Sequence, residues 1–503
     1  MASRIDPAQI PVIISFGQSI ERETILRPLD LAQRAAEEAF DSAPGIRDQI
    51  NEVVVVNILG RVGPSPAGEL ANRLNINTAK CYTTSVGGNT PQYLVNKTSQ
   101  RIANGETLAV LIAGAEAMRS SREWKKLKES GEVSSGQPNL QNDFEPDEVI
   151  GVDKAGMSSA EASAGLLSPA HVYPLFESAI AHANGRSMVQ QRKVAAELFA
   201  PFAAVASTNK YAWFKERASV DELFSAGPKN RMIAEPYTKR LCAFLGSDQG
   251  AAIIVTSLEI ANKLNLSKQV VFPISGADAT DAWFVSTRPD LSRSPAISAA
   301  SSLTLSLANK TIDDVDFLEL YSCFPSAVQL ACREIGIDHN DSRGLTVTGG
   351  LPYFGGPGNN YTTHGIVSMA SKIQESEGLG LVSALGWFAT KHSYGLYGAD
   401  PPEGGFVHGD LTEEQIKIDG AAVESVDSLD SIKGFEGEGR VIASSICYGP
   451  DGNVFMAPAI VEINGPKRIA LAANPNDLSD LTGVNLAGEK VKIGGDPICW
   501  SRI

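Results

Sequence analysis

The chain has 503 residues, 43% of them hydrophobic, and a formal charge of -15 at pH 7. That length predicts a soluble globular protein of roughly two to four domains, and so acidic a balance excludes a general nucleic-acid binder, which needs clustered Lys and Arg against phosphates. Its 6 cysteines are scattered and form no CxxC pair, so neither a disulfide framework nor a metal site is expected, and a reducing compartment is.

The opening MASRIDPAQIPVIISFG lacks a basic-then-apolar signal. No stretch approaches the ~20 apolar residues of a membrane span. Cytoplasm is the expected location, with a peroxisomal address at Ser501-Arg502-Ile503 as the weaker alternative. In chain order, Val12-Ile13-Ile14 predicts a strand, Pro28 to Ala43 a helix and Val53 to Leu59 a second strand. A buried strand then runs through CYTTSVGGNTPQ (Cys81 to Gln92) into a helix over about Asn89 to Gly105, followed by a strand at Leu108 to Ala113. This alternation reads as α/β with a buried sheet.

From 119 to 236 the texture changes to charged helices and irregular stretches, which predicts an insertion over the α/β core. Sheet-like runs return at Ala251 to Thr256 and Phe317 to Leu320, the latter leading into a helix over Ser326 to Ile335. After Tyr397 the chain turns Pro-, Gly- and acid-rich (ADPPEGGFVHGDLTEEQ), a boundary signal. Beyond it, short apolar runs separated by the turns Pro450-Asp451-Gly452 and Asn464-Gly465 predict a small, barrel-like β domain. The expected division is 1–262 and 263–398 as two α/β halves, 399–432 as an acidic linker and 433–503 as the extra β domain.

Four segments together resemble the thiolase superfamily. TTSVGGNTPQYLVNKTSQRIANGETLAVLIAGAEAM is similar to the segment running from the nucleophile to Ala-Gly-x-Glu-x-Met. SDQGAAIIV resembles the Asp-Gly-Ala-Ala strand, VDFLELYSCFPSA the Asn-Glu-Ala-Phe or His-Asp-Cys-Phe motif, and TGGLPYFGGPGNNYTTHG the Gly-Gly to Gly-His-Pro loop. With the extra domain, the resemblance is to sterol-carrier-protein-thiolase-like proteins of type 1. It implies two βαβαβαββ halves in a five-layered αβαβα fold, with 119–236 as the loop domain and coenzyme A bound at its edge. No cofactor is implied beyond a coenzyme A thioester as substrate or ligand. Thiolases generally dimerise through the strand beside the nucleophile, and LAVLIAGAE is apolar enough for that role, although a monomer stays open.

The same resemblance locates the site and shows what it lacks. Thiolases activate a cysteine at a helix N-terminus, where unpaired N–H groups favour the anion. The Cys-x-x-Gly register places Ser85 there, as nucleophile, ligand contact or helix cap. Cys81 falls back in the strand as a packing residue. Gly356 stands at the Gly-His-Pro histidine, and His364 follows as a substitute imidazole or a packing residue. Tyr321 matches the third motif as an oxyanion donor or a space-filler, with Cys323 packed beneath. Ala384-Leu385-Gly386 supplies no acid/base thiol, and Cys447-Tyr448-Gly449 lies too late in the chain to do so. Lys391 and His392 are read as contacts to a coenzyme A phosphate or the reacting group, or as a solvated helix end. Asn360 and Tyr361 complete the catalytic candidates, and Gly88, Gly349, Gly350 and Gly356 keep backbone room for a ligand. Three functions follow: an acetyl-CoA acetyltransferase-like acyltransferase with a non-standard site; a thioester-dependent retro-aldolase, the β domain replacing a separate OB-type partner; or a non-catalytic coenzyme A-ester binder.

Overall fold

The computed structural model describes residues 5–132, 145–463, 465 and 467–503. The first four residues, part of the charged stretch after 119 and Asn464 of the predicted turn lie outside the described residues. The first half builds a 6-stranded sheet in the order Pro11–Ile20, Asp248–Ser257, Ala109–Ala117, Glu52–Val55, Lys80–Thr84, Glu148–Ile150. All its strands but Lys80–Thr84 and Glu148–Ile150 are buried on both faces, because helices cover both faces. The second half builds a 5-stranded sheet in the order Phe317–Glu319, Leu379–Gly386, Lys391–Gly398, Phe272–Thr280, Val407–Gly409.

Between the sheets lie the helices Thr90–Ala103 and Tyr361–Ser376, buried with Val54, Ile112, Ile253 and Val382 in one apolar cluster. Pro28–Ser42 and Pro66–Arg73 cover the outer face of the first sheet, and Pro295–Leu307 and Pro325–Ile335 that of the second. The result is the expected five-layered thiolase fold. Backbone bonds between Ile13 and Val271 join the two sheets.

Two assignments differ from the sequence reading. LAVLIAGAE forms an interior strand, paired with Asp248–Ser257 on one side and Glu52–Val55 on the other, so it offers no edge to a second copy. The sheet edge belongs to Lys80–Thr84, and Glu148–Ile150 from the insertion already pairs with it in parallel. The acidic stretch 399–432 is folded onto the second half, with Val407–Gly409 as an added strand and Gln415 bonded to Thr280 through both backbone groups.

The insertion contributes the helices Pro169–Ala183 and Met188–Thr208. The C-terminal strands Gly437–Ser444, Ala459–Ile463, Lys467–Leu471, Lys490–Gly494 and Cys499–Arg502 run antiparallel in a sheet whose first strand lies at the centre, beside the second and fourth. Trp500 closes it, donating its backbone N–H to Ala472 and accepting from Asn474, which brings the fifth strand beside the third in parallel. That strand order and closure are those of an OB-type barrel. The barrel packs on the insertion: Ser178 Oγ donates to Asn485 Oδ1 and accepts from the Ser444 N–H. Among the described residues no helix is long and apolar enough to cross a membrane.

Trp500 is wholly buried in the barrel core, and its indole N–H donates to the Ala457 carbonyl at 3.0 Å. Trp500→Ala is therefore expected to cost about 3–5 kcal/mol, read as a lowered denaturation midpoint, while spectroscopic signatures of the α/β halves persist at the temperature where the barrel melts.

Candidate active site

The buried helix after CYTTSVGGNTPQ begins at Thr90, with Asn89 as its cap position. The Thr90 N–H and Oγ1 both donate to the Gly87 carbonyl, at 3.1 and 2.8 Å, which tightens the turn. Ser85 is therefore not a helix cap. It directly follows the preceding strand, which ends at Thr84, and its N–H is bonded to the Ile150 carbonyl in the insertion.

The residue that faces the third motif from the helix N-terminus is Gly88. A Cβ there would overlap the Tyr321 hydroxyl oxygen and stand 2.7 Å from the Leu385 carbonyl. The phenol thus fills the space in which a side chain at position 88 would stand. Tyr321 is buried, its N–H bonded to Ser383 Oγ, and burial pushes its hydroxyl well above the usual phenol range.

Several candidate side chains are occupied by structural work. Tyr361 donates to Glu319 at 2.7 Å and pairs with Thr348 Oγ1 at 2.6 Å. Glu319, which the sequence reading passed over, also accepts from the backbone N–H groups of Val347 and Thr348, and burial raises its carboxyl. Asn360 donates to the Gly114 carbonyl and accepts from Thr363, pinning the second central helix to the first sheet. His364 is fully buried against Phe354, its Nδ1 2.6 Å from Gln18 Oε1 and its Nε2 without a partner among the described residues. Since an amide oxygen only accepts, the proton sits on Nδ1. Burial lowers the ring's pKa to about 3, so it is neutral, and it does not line the cavity at Ser85.

The glycines of the loop do not border ligand space as expected. Gly349 and Gly350 let the insertion helix Met188–Thr208 approach, with Ala206 and Phe202 where their side chains would be. Gly356 bonds through its N–H to the Phe244 carbonyl. Burial raises the thiols of Cys81 to about 11 and Cys323 to about 12, Cys447 sits in a strand paired with Ala234 at the junction of barrel and insertion, and none of the three lines the cavity at Ser85.

What the structure does bring together is Ser85, Lys391 and His392. All three line a cavity of about 310 Å³ with Asn89, Tyr93, Asp278, Trp283 and Gln415. Lys391 and His392 begin a buried strand rather than a solvated helix end, because Lys391 pairs with Gly386 and Thr280 inside the sheet. Ser85 is 5% exposed, and its Oγ has no hydrogen-bond partner among the described residues; the same holds for Asn89 Oδ1. His392 Nε2 lies 3.3 Å from Asp281 Oδ2, and that carboxylate is held low chiefly by the imidazole against the opposing effect of burial. Asn89, Asp278 and Trp283 carried no motif that could have marked them in the sequence.

Similar proteins agree with this architecture. No family model matches the sequence, and no curated protein does. Among solved structures, a monomeric SCP2-thiolase-like protein type 1 (STLP1) from Mycobacterium smegmatis superposes with a TM-score of 0.83 at 27% identity, over 99% of this chain and 100% of that one. An Ltp2-ChsH2(DUF35) aldolase matches with a TM-score of 0.60 at 18% identity, covering 78% of this chain and 99% of that one. The Acat5 thiolase from Ascaris suum in complex with coenzyme A matches with a TM-score of 0.55 at 17% identity, covering 77% and 99%. The protein is thus of the thiolase superfamily. Within it, the likeness that runs through the barrel is to the SCP2-thiolase-like proteins of type 1.

Gly88→Ala should destabilise the protein by about 1–3 kcal/mol, the cost of overpacking a filled interior. In a Tyr321→Ala background the same change should cost markedly less, a coupling that a denaturation double-mutant cycle would measure.

Proposed function

We propose that the protein transfers acyl groups from a coenzyme A thioester, using Ser85 as the acceptor hydroxyl in place of a thiolase cysteine. The observation that carries this reading is the Ser85 hydroxyl: buried, unpartnered among the described residues and set on a 310 Å³ cavity. Ser15, Ser99, Ser247, Ser322 and Tyr353 also carry unpartnered buried hydroxyls, but only Ser85 lines the cavity, where such a hydroxyl calls for a ligand or a task. The cavity is at the lower end of the size range for small-molecule sites and suits a short acyl group with the end of its thioester arm. Gly88 and Tyr321 argue against covalent chemistry at the helix N-terminus, and the coenzyme A held by the Ascaris suum thiolase supports the donor class.

A second reading, thioester-dependent retro-aldol cleavage, is favoured by the Tyr321 phenol at that N-terminus and by the likeness to the aldolase. Under it, the C-terminal barrel takes the place of an OB-type partner. Incubation with acetyl-CoA, with acetoacetyl-CoA plus coenzyme A, and with a panel of β-hydroxyacyl-CoAs separates the readings. Acyl transfer predicts product from the first two that falls by about 100-fold or more in Ser85→Ala, the scale expected when the attacking group is removed. Aldehyde or ketone from the panel, with Ser85→Ala unaffected, would establish the second. Tight binding in calorimetry with no product would leave a coenzyme A-ester binding protein.

Because Glu148–Ile150 covers the edge of Lys80–Thr84, we expect a monomer. Light scattering should return the mass of one chain across the working concentration range, and a two-chain mass would contradict the covered edge.

A further inference from the structure

The cavity at Ser85 holds a second group with unfinished chemistry. Lys391 is 7% exposed, and its ammonium donates to the Val86 carbonyl at 2.5 Å, on the residue next to Ser85. Its stem threads between two residues that lack side chains: a Cβ on Gly87 would lie 2.8 Å, and one on Gly386 3.0 Å, from Lys391 Cε. No carboxylate pairs with it among the described residues.

The other titratable groups around the cavity are engaged elsewhere. Asp278 accepts from His408 Nε2 at 2.6 Å and lies beside Asn96. His392 faces Asp281 and the Ala389 carbonyl. The Lys154 ammonium rests over the Trp283 ring at 4.8 Å, and Tyr93, with Lys97 over its ring, is raised above the usual phenol range by burial. An ammonium buried without a counter-charge costs free energy that a structural role does not repay.

Resting on the acyl-transfer reading above, we propose that Lys391 is the general base for Ser85, so that the two form a nucleophile and base pair on the flank of the filled thiolase centre. Ser85 Oγ has no hydrogen-bond partner among the described residues, so the neutral amine takes its proton through one bridging water as Oγ bonds to the thioester carbonyl carbon. The C–S bond breaks with its electron pair on sulfur, and the ammonium returns the proton to the departing thiolate. In the second half the same amine takes a proton from an acceptor hydroxyl or water, whose oxygen attacks the acyl carbon, and the proton passes to Ser85 Oγ as it leaves. Asn89 lines the same wall, and its Nδ2, which donates one N–H to Ser393 Oγ at 3.4 Å, has a second N–H to offer the carbonyl oxygen. Burial lowers the Lys391 amine to about 8, which brings its neutral form within reach of physiological pH.

The test uses the full-length protein and p-nitrophenyl acetate as an activated acetyl donor, followed by peptide mapping for an acetyl group on Ser85. The expected result is acetylation of Ser85 whose rate rises with pH to a plateau above about 8, falls by about 100-fold or more in Lys391→Met, and is not restored in Lys391→Arg, which keeps the charge without the base. Acetylation of Ser85 that is equally fast in Lys391→Met would overturn the role of Lys391 and leave acyl transfer standing. Absence of any Ser85 adduct in the wild type would overturn both. Should Lys391→Met not fold, as judged by its circular dichroism, the wild-type pH profile decides: a flat profile between pH 6 and 9 contradicts the pair.

Discussion

The contact between the Tyr321 phenol and the backbone of Gly88 governs what this fold can do. Two helices, Thr90–Ala103 and Tyr361–Ser376, lie between the two sheets, and the N-terminus of the first is the point where unpaired N–H groups would stabilise an anion. Placing a phenol there requires glycine opposite it, and glycine brings no nucleophile. Thr362 secures the arrangement by donating to the Gly88 carbonyl at 2.8 Å. The layers survive intact around a centre occupied by an aromatic side chain.

The remaining polar residues divide accordingly. Those on the Tyr361 side, Glu319, Thr348, Asn360 and Thr363, bond to one another and to the backbone, and hold the second central helix in place. Those on the Lys391 side, Ser85, Asn89 and the lysine itself, border a cavity with bonding capacity to spare. A saturated network fixes structure, whereas an unsaturated one beside open volume is suited to a ligand.

Much of the fold was legible in the sequence because it depends on patterns that are local. The alternation of apolar runs with helical stretches defined both halves, and turn-separated short runs defined the barrel. What stayed illegible depended on contacts distant in the chain. LAVLIAGAE reads as apolar enough for a dimer contact until the strands on both its flanks are known. The Cys-x-x-Gly register put Ser85 at the helix start, but the turn through Gly87, Gly88 and Asn89 delays that start by a full turn, so the residue opposite Tyr321 is a glycine. Lys391 reads either as a ligand contact or as a solvated helix end, and only its pairing to Thr280 and Gly386 shows that it is buried. The candidates Ser85, Lys391 and His392 meet at one cavity, whereas His364, Asn360 and Tyr361 lie in the packing around Gln18, Gly114 and Glu319.

The central claim is that the ligand's carbonyl belongs on the Ser85 flank and not at the helix N-terminus. A crystal structure of Ser85→Ala with a bound acyl-CoA tests it most directly. The account predicts the thioester carbonyl beside Asn89 and Lys391, with Tyr321 still against Gly88. A carbonyl lodged between Tyr321 and Gly356, with the Lys391 cavity empty, would contradict it.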